Sequence, residues 1–124
     1  MRPKSDSKKK EKVSPIARKV YDATSMIPRG RVSTYGAIAR AIEREGASRA
    51  VGGILRANPW PIKVPCHRVV HSDGTIGGYG GSEGTPRKIK LLAREGVRVR
   101  DGEIHDFKKI LFDDFGSLLT KRLV

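Results

Sequence analysis

The one cysteine of this 124-residue chain stands in the stretch VPCHRVV, residues 64–70, between Pro65 and His67. A thiolate is a nucleophile and a soft metal ligand, and cationic neighbours such as His67 and Arg68 favour that ionised form. Residue types alone leave three readings of Cys66 open: a buried small hydrophobe, a metal ligand or a nucleophile. A metal site needs further ligands, and the chain offers only His67, His71 and His105 beside this sulfur. His67 and His71 would share a face only in a helix, whereas RVVHSDG reads as strand, so no metal is expected.

What must hold these side chains is a single compact domain. A chain of this length with 37% hydrophobic residues supports one modest core. No apolar run is long enough to span a membrane, and the N-terminal MRPKSDSKKKEK lacks the apolar stretch of a secretory signal. The chain therefore reads as a soluble, intracellular monomer, cytoplasmic and nucleoid-associated, or nuclear in a eukaryote. A lone cysteine forms no internal disulfide, which agrees with a reducing compartment. The net charge of +13 points to a polyanionic partner. The first twelve residues hold six Lys/Arg against two acids, which leaves +9 on the remainder. Charge by itself leaves DNA, RNA and acidic membranes open.

Residues 1–12 are expected to form a disordered basic tail ahead of a domain over 13–124. Ser14-Pro15 reads as the cap and first turn of a helix along which Ile16, Val20, Ala23 and Ile27 recur, ended by Pro28 and Gly30. Thr34 is placed to cap a second helix that buries Ile38, Ala39 and Ile42 and exits through EREG. Ser48 is placed to cap a third, RAVGGILRAN. Two short helices joined by a tight, glycine-containing turn read as a helix-turn-helix or as a plain αα-hairpin. The basic balance, with Arg49 and Arg56 on the third helix, the later of the pair, favours DNA. Beyond Asn58-Pro59, PWPIKVP is extended and RVVHSDGTI reads as two short strands around Asp73-Gly74. GGYGGSEG is a close-approach loop or a flexible linker. Thr85-Pro86 opens a fourth helix through Ile89, Leu92 and Ala93, closed by Gly96. VRVRDGEI reads as a hairpin, and FKKILFDDFGSLL as a final amphipathic helix or turn. The fold expected is mainly α with small β-hairpins, a winged helix-turn-helix.

NPWPIKVPCHRVVHSDGTIGGYGG resembles the active-site stretch of the O6-alkylguanine-DNA alkyltransferases, or methylated-DNA-protein-cysteine methyltransferases, whose hallmark is Pro-Cys-His-Arg-Val. Upstream, GRVSTYGAIA and SRAVGGILRANP resemble that family's helix-turn-helix, and KIKLLAREG resembles its following helix. The four motifs run in order over about residues 15 to 110. The resemblance implies a DNA repair protein that moves an alkyl group from O6 of guanine to its own Cys66 in one turnover, with no cofactor. Its implied partner is double-stranded DNA containing O6-alkylguanine. His67 then matches the base acting through a water, Glu95 the carboxylate that orients it, and Asn58 the brace of the active-site turn. Tyr35 matches the tyrosine that helps rotate the nucleotide and donates a proton toward the departing guanine. Arg49 matches the finger that fills the gap left by the flipped base, and Ser48, Ala50, Gly53 and Arg56 would complete the DNA-binding surface. The lesion pocket would involve Val69, Pro61, Trp60, Tyr79, Gly80 and Gly81. Family members typically carry a further domain ahead of the first helix, where this chain has only its basic tail. The small alkyltransferase-like proteins share that minimal architecture but replace the acceptor cysteine and only bind lesions, so Cys66 separates a transferase from a lesion sensor. A transcriptional regulator built on the same helix-turn-helix is a further alternative, and a thiol hydrolase, which would show multiple turnover, a more distant one.

Overall fold

The computed structural model of the chain describes residues 13–77 and 84–116. The basic tail, the loop residues Tyr79, Gly80 and Gly81, and the end of the FKKILFDDFGSLL stretch lie outside the described residues.

Three helices form the body: α1 (Pro15–Thr24), α2 (Tyr35–Ala41) and α3 (Ser48–Arg56), each packed on the other two. Ser14 caps α1 by accepting from the Ala17 N–H at 3.2 Å, with proline at the first helical position, where its missing N–H costs nothing. Thr34 does the same for α2 through the Ala37 N–H at 3.0 Å. Ser48 differs from its expected role. It is the first residue of α3, the cap position is Ala47, and no side chain caps the helix. Helix α2 ends in a left-handed residue: the Arg44 N–H reaches the Ala39 carbonyl, the Glu43 N–H reaches that of Arg40, and Glu43 takes φ 61°. These paired bonds form a Schellman motif with glutamate where glycine is usual.

Strand β1 (Ser33–Thr34) pairs in parallel with β2 (Val69–Val70), Ser33 against Val69 and Thr34 against Val70. The Asp73-Gly74 turn does form, with the Gly74 N–H on the His71 carbonyl and the His71 N–H on that of Thr75. The hairpin expected around it does not extend further, because its arms find other partners. Val69–Val70 join β1, while Thr75 bridges to Glu103. The second hairpin is as expected: β3 (Val99–Arg100) and β4 (Glu103–Ile104) pair antiparallel, with Asp101 and Gly102 both at positive φ, as a two-residue type I′ turn requires.

Between the strands lies α4 (Gly84–Arg94). Its buried face is Lys88, Leu91 and Leu92, not the expected Ile89, Leu92 and Ala93: Ile89 and Ala93 are exposed. The FKKI stretch makes only the short α5 (Phe107–Ile110). The chain then runs beside Val32, and Phe115 enters the main core. That core joins Val20, Ala23, Ile27, Ile38, Ala39, Val51 and Leu55; a second cluster of Val32, Val70, Leu92, Val97 and Ile104 fixes α4 and the hairpin.

Candidate functional site

Cys66 opens a single 3-10 turn, Cys66–Arg68, that feeds straight into β2. Because β2 pairs with β1, and Tyr35 begins α2 directly after β1, the sheet register brings the cysteine turn to the start of the helix-turn-helix. Cys66 is buried, with 9% of its surface exposed. Asn58 braces the approach. Its Oδ1 accepts from the Trp60 N–H at 2.9 Å, and its Nδ2 lies 3.0 Å from the Val64 carbonyl, 3.3 Å from that of Trp60 and 3.5 Å from Cys66 Sγ. Within the loop so held, Ile62 adopts φ 73°, a strained conformation for a β-branched residue.

His67 is buried at 1% exposure. Its Nε2 lies 3.0 Å from Glu95 Oε2, and its Nδ1 is buried with no hydrogen-bond partner among the described residues. The tautomer that donates from Nε2 to the carboxylate leaves Nδ1 as a free acceptor. Glu95 caps the C-terminus of α4 just before Gly96, whose φ of 84° and N–H to the Ala93 carbonyl close the helix together with the Val97 N–H to Leu92. Arg68 grips the same carboxylate, from Nε to Oε1 at 2.9 Å and from Nη2 to Oε2 at 2.8 Å. Burial works to raise the pKa of Glu95, but hydrogen bonds from Arg68 and His67 outweigh it and hold the carboxyl below its ordinary range. For His67, burial outweighs Glu95 and pushes the imidazole down, so it is neutral at pH 7.

Lys88 is fully buried and donates to the Val69 and Ile76 carbonyls at 2.7 and 2.5 Å. Its ammonium sits 5.9 Å from the centroid of the Tyr35 ring. Burial lowers its pKa to about 8, against the opposing pull of charge at Cys66. Burial and then charge at Cys66 raise the Tyr35 phenol, with Arg56 acting the other way. The Tyr35 ring packs against His71, centroids 5.2 Å apart. Gly77, at φ 71°, passes so close that an added Cβ would lie 3.2 Å from the Tyr35 hydroxyl and 3.0 Å from His71 Nε2. A side chain there would need both rings to give by a few tenths of an ångström and would sit in a left-handed backbone that favours glycine.

Tyr35 also lines a groove of about 450 Å³ with Ser48, Arg49, Gly52 and Arg56 of α3 on one side and His71 and Ser72 on the other. Arg49, Ala50, Gly53 and Arg56 are exposed along α3. Val69 has its side chain in the core and its carbonyl on Lys88. Trp60 packs edge-on against Tyr21 at 5.8 Å, and Pro61 is exposed on the loop braced by Asn58. Tyr79, Gly80 and Gly81 lie outside the described residues. Sequence reasoning missed Lys88, the Arg68 grip on Glu95 and the His71 contact with Tyr35. A signal for the first existed, since Lys88, Leu92 and Glu95 fall at i, i+4 and i+7 on one face of a helix.

Residues 15–97 match the family described as 6-O-methylguanine DNA methyltransferase, DNA binding domain. The chain belongs to this family. It is 48% identical over 83 residues to the methylated-DNA–protein-cysteine methyltransferase of Salmonella typhimurium, a match covering 67% of this chain and 47% of that protein. Among solved structures, Mycobacterium tuberculosis OGT in complex with DNA aligns with a TM-score of 0.63 at 44% identity, over 66% of this chain and 50% of that one. S. pombe Atl1, solved with damaged DNA containing O6-carboxymethylguanine, aligns with a TM-score of 0.70 at 34% identity, over 90% of this chain and 98% of that one. The chain spans about half or less of the length of the curated relatives it matches. Membership gives a helix-turn-helix DNA-binding fold, mainly helical with small strands, as expected from the sequence. No helix among the described residues is long and apolar enough to cross a membrane.

Proposed function

We propose that this protein removes an alkyl group from O6 of guanine in duplex DNA by transferring it irreversibly to Cys66. The observation that carries the reading is the joining of an acceptor thiol to a base and its orienter: Cys66, the adjacent His67 with Nδ1 unpartnered, and Glu95 on Nε2. His67 Nδ1 takes the thiol proton through a bridging water, and Cys66 Sγ attacks the alkyl carbon. The carbon–O6 bond breaks, and its electron pair leaves with the guanine. Tyr35, at the groove and facing Gly77, supplies the proton that neutralises the departing base. The Asn58 amide, 3.5 Å from Sγ, favours the thiolate by hydrogen bonding.

The thiol reaches its target only if the nucleotide leaves the stack. The exposed stripe of α3 faces DNA in this reading, with Ser48, Ala50 and Gly53 against the backbone, Arg56 as a phosphate partner and Arg49 filling the vacated position. The flipped base enters beside the turn after β2, bounded by the Val69 carbonyl, the loop of Trp60 and Pro61, and Tyr79, Gly80 and Gly81. The Val69 carbonyl already accepts from Lys88, so the base would use its second lone pair. A thioether is a poor leaving group, and transfer ends with one alkyl group per monomer.

The near-complete mutual coverage with Atl1 favours a second reading, a lesion-binding protein in which Cys66 is idle. Titrating the protein against a duplex whose O6-methylguanine blocks a restriction site separates the two. Transfer restores cleavage up to one lesion per protein, and Cys66→Ser restores none. Tight binding with no restored cleavage overturns the transferase reading.

A further inference from the structure

The cysteine, histidine and glutamate account for the reacting proton but leave Arg68 without a part, although its guanidinium is bonded through all three of its nitrogens. It makes three bonds, all internal: Nε to Glu95 Oε1 at 2.9 Å, Nη2 to Glu95 Oε2 at 2.8 Å, and Nη1 to the Ile27 carbonyl at 2.7 Å. Its side chain is 16% exposed and that of Glu95 only 7%. The Ile27 bond fixes the guanidinium to the exit of α1, and the Schellman closure of α4 fixes Glu95 from behind. Three chain segments therefore meet on one planar fork, in a geometry that lysine cannot reproduce.

The decisive feature is that Glu95 Oε2 is shared. It accepts from Arg68 at 2.8 Å and lies 3.0 Å from His67 Nε2. A carboxylate with only the histidine for company would bind the imidazolium tightly, and a histidine held as imidazolium accepts no proton from Cys66. We propose that Arg68 is a positioning residue that acts through Glu95: it aims the carboxylate at His67 while cancelling its charge, so that His67 is oriented yet stays neutral. This rests on the alkyl-transfer reading of Cys66.

The charged groups that bear on His67 from the surrounding elements are Glu95, at the end of α4, which raises its basicity, and Arg68 and Lys88, which lower it; Cys66 is its chain neighbour. Burial lowers it further. Removing the guanidinium takes away one of the lowering influences and leaves the raising one, so the imidazolium becomes harder to deprotonate. In Arg68→Gln the acidic limb of the pH–rate profile for methyl transfer should move to higher pH by about one unit, a loss of about tenfold on that limb that largely recovers at high pH. Arg68→Lys keeps the charge without the fork. It should leave the midpoint near that of the wild type and lower the plateau rate, and it guards against the glutamine variant failing to fold.

A purely structural staple would lower rate and melting temperature in both variants with unmoved midpoints, and that result overturns the proposal. The His67 ring titration followed by NMR supplies a readout independent of DNA. A higher midpoint in Arg68→Gln than in wild type supports the proposal even if no methyl transfer is found, in which case it is the alkyl-transfer reading that fails. An unchanged His67 midpoint overturns the proposal even where the transfer rate falls.

Discussion

A lysine with no exposed surface is charged only at a cost, and Lys88 bears that cost under the face of Tyr35. Two carbonyls and the face of Tyr35 offset the lost hydration, yet its pKa still falls from 10.5 to about 8. The sign for stability follows. Between pH 8 and 10 the unfolded chain holds this proton and the folded one releases it, so folding becomes more favourable as pH rises through that window. Below pH 8 both states are charged and the full cost is present. Chemical denaturation should therefore show the wild type gaining on the order of 2 kcal/mol from pH 8 to 10. Lys88→Met should lack that gain, although it leaves two carbonyls unpaired and is less stable at high pH. An equal gain in both proteins would place the titration elsewhere.

At the scale of elements, two helix ends set the geometry and make opposite predictions. Gly96, at φ 84° with open space around a would-be Cβ, closes α4 behind Glu95. Gly96→Ala carries only the left-handed backbone penalty, about 1 kcal/mol of stability. Glu43 stands at the matching position of α2 with φ 61°, exposed, so Glu43→Gly should stabilise by about the same amount, read as a rise in denaturation midpoint at unchanged slope. These ends also show what sequence could tell. Ser14, Thr34, Gly96 and the Asp101-Gly102 turn act on residues within four positions of themselves, so their signals were readable directly. The parallel pairing of Ser33–Thr34 with Val69–Val70 joins segments 36 residues apart by backbone alone, and nothing in RVVHSDGTI distinguishes it from a local hairpin. Ser48 had the right type for a cap but stands one residue inside its helix. The meeting of His67, Arg68 and Glu95 was implied for two of the three by likeness to a known family, while the charged character of Lys88 masked its place on the buried face of α4.

For the whole molecule, the proposed DNA binding combined with a net charge of +13 predicts that much of the affinity comes from released counterions and falls steeply with salt. Against that background the two arginines of α3 should behave differently. Arg56→Ala should weaken binding to damaged and undamaged duplex alike and lower the salt slope by about one. Arg49→Ala should reduce lesion binding at least tenfold more than binding to undamaged duplex, and equal losses would make Arg49 a phosphate partner instead. Flipping, however, serves the chemistry only if Cys66 accepts the group. Intact-protein mass spectrometry after mixing with excess duplex containing O6-methylguanine reads that step directly. The account predicts a gain of one methyl group, saturating at one per molecule and absent in Cys66→Ala; lesion-selective binding with an unchanged mass would contradict it.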